Sequence, residues 1–154
     1  MSQKFPNKFR GHHSYLIDKK GRLSVPVQFR EVLANVYKEE RLMLTAWGNC
    51  LVAYPLSEWL KIEEKVNNLP QMKPEVMAFQ LAFISRAVEC EFDQQGRILI
   101  PPTLRRQADL KREVIIVGML TRFQIWNKQR LEEQIKRFTE NFEKISNALG
   151  DLGL

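Results

Sequence analysis

The stretch DKKGRLSVPVQFR, residues 18–30, returns 75 positions later as DQQGRILIPPTLR, residues 93–105. Asp18, Gly21, Arg22, Pro26 and Arg30 recur as Asp93, Gly96, Arg97, Pro101 and Arg105. Other positions keep their character, Leu23 against Ile98 and Phe29 against Leu104 among them. A chain of 154 residues has room for one compact domain or two very small ones. No low-complexity linker separates the copies, so the repeat predicts one integrated domain with internal pseudo-symmetry.

Each copy reads as the same series of elements. YLIDKKGRLSVP and CEFDQQGRILIP read as strand, tight turn, strand, with Gly21 and Gly96 at positions that need a positive φ. The aspartate at the head of each turn can accept hydrogen bonds from backbone N–H groups two residues on. Pro26 and Pro101 fit the start of a short helix. A β-hairpin follows in each copy, with Leu42–Thr45 and Cys50–Tyr54 as the strands of the first and Gly48-Asn49 near its turn. The expected fold class is therefore α+β. A helix follows each unit. Trp59, Ile62, Val66 and Leu69 share one helical face, as do Leu131, Ile135, Phe138, Phe142, Ile145 and Leu149. Asn127 is the expected cap of that last helix and Gly150 its stop. A further helix, roughly Pro74 to Ser85, links the halves.

Charge is divided unequally along the chain. Residues 1–30 hold seven Lys or Arg against one acid, Asp18, which accounts for the whole net charge of +6. A localised basic patch attracts polyanions by counterion release. Function classes that need other chemistry find no support. No apolar run approaches the ~20 residues of a membrane helix, and the N-terminus does not read as a secretory signal. Cys50 and Cys90 match no metal or redox spacing and read as two reduced, partly buried thiols. His12 and His13, adjacent on a strand, would face opposite ways and have no nearby ligand partners. No Gly-rich phosphate loop, nucleophile motif or spaced carboxylate pair occurs, so neither enzyme activity, a small-molecule substrate nor a cofactor is expected. Trp47, Trp59 and Trp126 read as core residues.

The Asp-x-x-Gly-Arg motif supports two readings that are compatible. In the structural one, Asp18 pairs with Arg22 across its turn, and Asp93 with Arg97. In the functional one, the first turn presents Lys19, Lys20 and Arg22 to phosphates, with Arg22 reaching a base edge, since a guanidinium suits bidentate recognition. Gln94 and Gln95 remove two charges from the second turn, so DNA contact is assigned to the first copy and a structural role to the second.

The segments KFRGHHSYLIDKKGRLSVPVQFR and CEFDQQGRILIPPTLR, with the YP and IW strand ends and the helices after them, resemble the MraZ family over about residues 9–145. The resemblance implies a bacterial transcription factor with two AbrB/MazE-like swapped-hairpin β-barrel half-units in one chain. It further implies a ring-shaped homo-oligomer that binds direct repeats upstream of its own division and cell-wall gene cluster and associates with the nucleoid in the cytoplasm. Asp18 and Arg22, and Asp93 and Arg97, match the family motif. Lys20 matches its lysine before the turn glycine, and Arg10 sits in its Phe-Arg-Gly start. The expected organisation is a basic extension at 1–8, a first unit at 9–70, a linking helix at 71–86, a second unit at 87–149 and a tail at 150–154. Ser85 stands where a glycine is common. The partners expected are double-stranded DNA through Arg10, Lys19, Lys20 and Arg22, and further copies of the chain. A ring whose partner is another protein, and an RNA-binding regulator, are the competing readings.

Overall fold

The computed structural model describes residues 7–154. Most of the basic extension at 1–8, including Lys4, lies outside the described residues. The described chain forms strands β1 (His12–Leu16), β2 (Arg22–Ser24), β3 (Arg41–Trp47), β4 (Cys50–Pro55), β5 (Val88–Glu91), β6 (Arg97–Leu99), β7 (Glu113–Gly118) and β8 (Phe123–Asn127). Its helices are α1 (Val27–Val32), α2 (Leu56–Asn67), α3 (Pro74–Phe79), α4 (Pro102–Gln107), α5 (Lys128–Glu140) and α6 (Phe142–Asp151). Helices α1 and α3 continue into wider π-type turns, Leu33–Tyr37 and Gln80–Ile84.

The strands do not pair as the local pattern predicts. β1 and β2 flank one turn but do not form a hairpin ladder with each other. β1 pairs with β7 of the second copy, β5 pairs with β3 of the first, and β2 pairs with β6. The result is a six-stranded antiparallel sheet, β1-β7-β8-β4-β3-β5, and a separate ribbon, β2-β6. Alternating apolar residues are equally satisfied by a local or a distant partner, so periodicity alone could not choose. The β3–β4 and β7–β8 hairpins do form as read.

These pairings obey a pseudo-two-fold axis. It passes between Leu23 and Ile98 in the ribbon and between Val52 and Gln124 in the sheet. The inner strands β3, β4, β7 and β8 are buried on both faces. Leu51, Ala53, Val114 and Ile116 face the ribbon, where they join Phe9, Leu23, Phe29, Ile98 and Phe123. Cys50, Val52, Ile115 and Val117 face the other way, with Trp126 and Leu131. Alternate residues of one strand thus feed two cores.

Helices α2 and α3 cover β3 and β4 through an aromatic cluster. Trp59 stacks on Phe83 at 5.4 Å, Phe83 on Phe79 at 4.7 Å, and the half-exposed Trp47 meets both phenylalanines edge-on. Trp59 and Trp126 are buried core residues. The last helix departs from its sequence pattern in two ways. It breaks at Asn141, which leaves the helical region (φ −106°, ψ 26°), and α6 runs through Gly150 to Asp151 instead of stopping there. Asn127 does cap α5, its side chain accepting from the N–H of Arg130 at 3.1 Å. Beyond Leu131 the apolar stripe leaves the sheet: Ile135, Phe138, Phe142 and Leu149 are exposed.

Candidate nucleic-acid interface

Each Asp-x-x-Gly-Arg segment is a closed turn. The backbone N–H groups of Lys20 and Arg22 both donate to Asp18 Oδ1 at 2.9 Å, and Arg22 Nε donates to Oδ2 at 2.6 Å. In the second copy the N–H groups of Gln95 and Arg97 donate to Asp93 Oδ1 at 2.9 Å, and Arg97 Nε to Oδ2 at 2.8 Å. The backbone N–H of Arg22, then its side chain and the N–H of Lys20, hold the Asp18 carboxyl at about 2, well below the ordinary value of 3.8. The N–H and side chain of Arg97, with the N–H of Gln95, lower Asp93 in the same way. Gly21 and Gly96 close the turns at φ 88° and 76°, a region that L side chains rarely adopt.

The ribbon brings the two turns into one surface. Leu23 and Ile98 point inward, so by the period of a strand Arg22, Ser24, Arg97 and Leu99 share the outer face. Arg97 Nη1 lies 4.0 Å from Asp18 Oδ2, a tie across the copies. Lys19 and Lys20 are exposed at one end, Gln94 and Gln95 at the other. Each aspartate uses one oxygen to fix its turn and the other to hold Nε of its arginine. The Arg22 side chain is a little over a third exposed, at 37%.

Two further arginines belong to this surface. A Cβ on Gly21 would lie 2.8 Å from Cζ of Arg105, and one on Gly96 2.6 Å from Cζ of Arg30. Each guanidinium thus lies over the turn glycine of the opposite copy. Nε of Arg30 donates to the Val25 carbonyl at 3.2 Å, and Nε of Arg105 to the Ile100 carbonyl at 3.0 Å. In the sequence, Arg30 and Arg105 recur with no role that their local pattern assigns. Their recurrence, though each lies eight residues beyond its motif arginine, was the available signal.

Arg10 stands apart from this group, at the far end of β1. Its exposed position is set by Phe9, fully buried and bridged to Leu120, and by the close approach of the Phe9–Arg10 backbone to Gly118. His13 lies beside it, Nε2 3.0 Å from the Arg10 carbonyl oxygen and its ring edge-on to Phe29. Among the described residues no group of three His, Cys, Asp or Glu is placed to hold a metal ion. Cys50 and Cys90 are free and buried, and burial pushes their thiols up to about 12 and about 11. No helix among the described residues is long and apolar enough to cross a membrane. What the surface offers is guanidinium and ammonium groups on a rigid frame, which is chemistry for phosphates and base edges.

Comparison with known proteins finds the same duplication along the chain. The family model for MraZ proteins, described as antitoxin-like, matches twice, over residues 8–82 and 83–152. The chain is 49% identical over 146 residues to a transcriptional regulator MraZ of Syntrophobacter fumaroxidans, covering 95% of this chain and 97% of that one. It is 43% identical to the regulator of the same name from Pediococcus pentosaceus, covering 95% and 99%. With that of Pelotomaculum thermopropionicum the identity is 44%, covering 95% and 98%.

Proposed function

The chain belongs to the MraZ family, and we propose that it regulates transcription by binding double-stranded DNA through the β2-β6 ribbon and its two turns. The observation that carries this reading is the outer face of the ribbon. There Arg22 and Arg97 share one face, each held at Nε by an aspartate, with the exposed Lys19 and Lys20 beyond Arg22. Lysines and arginines on phosphates supply affinity, and a fixed guanidinium supplies base discrimination. Arg10 adds a flanking phosphate contact. The relatives' name, transcriptional regulator, supports the same conclusion.

In this reading the target is a set of direct repeats upstream of the chain's own division and cell-wall gene cluster, and the protein works on the nucleoid in the cytoplasm. The crossed pairing of β1 with β7 and β5 with β3 supports treating residues 9–70 and 87–149 as AbrB-like swapped-hairpin units joined by residues 71–86. Self-assembly into a ring is supported by the exposed apolar stripe of α5 and α6 and by the open edges of β1 and β5. Repeated ribbons would then bind repeated sites with avidity.

The test is fluorescence anisotropy with upstream DNA against scrambled DNA and against RNA of the same sequence. Arg22→Ala should weaken upstream binding by about 5–150-fold, the equivalent of one lost bidentate base contact of ~1–3 kcal/mol. Lys20→Ala should lower the salt dependence by about one unit of slope. Binding that is equal in wild type and both variants removes the site assignment. Tighter binding to the RNA removes the DNA reading.

A further inference from the structure

The ribbon is nearly two-fold symmetric in backbone but not in charge. Arg22 lies opposite Leu99, Leu23 opposite Ile98 and Ser24 opposite Arg97, so rotation about the Leu23–Ile98 pair carries one turn onto the other. Asp18, Gly21 and Arg22 then superpose on Asp93, Gly96 and Arg97, with the same hydrogen bonds in the same order. Lys19 and Lys20 superpose on Gln94 and Gln95. None of those four side chains closes a turn, because Lys20 and Gln95 take part through their backbone N–H groups. All four are exposed.

An antiparallel duplex has its own local two-fold at each base pair. A ribbon with two equal ends could therefore lie on it in either direction. By the register, the tips at Lys20 and Gln95 are separated by six residues of extended chain. That is roughly 20 Å at 3.3 Å per residue, or about six base-pair steps. Both ends thus reach the duplex at distinct places. One end brings two point charges, which bind phosphate without regard to sequence. The other brings two neutral amides, and a glutamine can pair bidentately with N6 and N7 of adenine.

We propose that the inequality of Lys19-Lys20 and Gln94-Gln95 sets the direction in which each chain lies on DNA, with the lysine turn on the phosphates and Gln94 and Gln95 reading base edges at the other end. This rests on the DNA-binding reading above. It gives the second copy a recognition role that the loss of charge had obscured.

The experiment is tethered cleavage on the duplex that the wild-type chain protects upstream of its own gene. A single cysteine replaces Thr103, which is exposed on α4, the helix whose Arg105 lies over Gly21 of the first turn. It carries an iron–EDTA reagent. Cys50 and Cys90 are buried and do not compete for the label. Cleavage should fall on one flank of the protected element. In the exchanged variant (Lys19→Gln, Lys20→Gln, Gln94→Lys, Gln95→Lys) it should move to the opposite flank, with the salt slope unchanged because the charge count is unchanged. Cleavage on the same flank in the exchanged variant, or on both flanks equally in the parent, overturns the proposal. A second variant, Gln94→Ala with Gln95→Ala, should keep the parental flank. It should lose base preference only at the end away from the tether, and preference lost at the tethered end also overturns it. Absence of saturable binding to any duplex is a different failure, since it removes the DNA-binding reading itself.

Discussion

Replacing Gly21 by alanine tests the crossed arrangement of the two copies. Two costs arise there. Gly21 sits at φ 88°, and a left-handed backbone costs an L residue about 1–2 kcal/mol. The new Cβ would also lie 2.9 Å from the carbonyl oxygen of Ile100 and 2.8 Å from Cζ of Arg105, both from the second copy. The arginine can move, but the carbonyl belongs to the backbone that pairs with Gly21, since the Ile100 N–H donates to the Gly21 carbonyl at 2.9 Å. Overpacking against such a neighbour adds about 1–3 kcal/mol. Gly48 supplies the control, because it too has a positive φ (60°) but its Cβ would meet nothing within 4 Å. Gly48→Ala should therefore cost about 1–2 kcal/mol and Gly21→Ala about 2–5 kcal/mol. In thermal unfolding that is roughly 4–20 °C for Gly21→Ala, at about 2–4 °C per kcal/mol for a chain of this size. Adding Arg105→Ala to Gly21→Ala should recover part of the loss in a double-mutant cycle. Equal destabilisation by the two glycine variants, with no coupling to Arg105, would mean that the second copy does not pack on the first turn.

Leu23 and Ile98 face each other on the pseudo-axis and are almost wholly buried, so truncating either to alanine should cost about 2–5 kcal/mol in urea unfolding, with the double variant clearly non-additive. Asp18 is held at about 2, below its ordinary 3.8, so its contribution to stability is full above the higher value and is lost as pH falls through the lower. An NMR titration of its carboxyl should show a midpoint near 2 that rises towards the ordinary value in Arg22→Ala, and an unchanged midpoint would refute the pairing. Glutamate at both Phe138 and Phe142, which are exposed on the unpartnered stripe, should lower the assembly mass measured by light scattering and leave the free energy of urea unfolding within about 0.5 kcal/mol of the parent. An unchanged mass would place the subunit contact elsewhere.

Much of the candidate site was legible in the residues because its parts are local. An aspartate two and four residues ahead of the N–H groups it receives, a glycine at positive φ and a proline opening a helix are set by short-range sterics and hydrogen bonding. Their recurrence at a constant offset identified both turns. The C-terminal helix was less legible. Its apolar spacing runs unbroken from Leu131 to Leu149, and nothing in that period marks Asn141 as a break or Gly150 as helix interior. The stripe reads as a packing face, on its own sheet or on a neighbouring subunit, and within one chain only Leu131 of it is buried.

The amino-acid sequence by itself determined the turns, the pairing of Asp18 with Arg22 and of Asp93 with Arg97, the two local hairpins and the placement of the excess positive charge. Tertiary structure alone decided which strand lies beside which. An alternating strand buries the same side chains against a near or a distant partner, and the choice depends on the summed packing of both copies. That choice brought Arg30 over Gly96 and Arg105 over Gly21. It also placed the neutral Gln94 and Gln95 at the opposite end of the ribbon from Lys19 and Lys20. Residues 75 positions apart became neighbours because Leu23 and Ile98 share one buried point on the pseudo-axis.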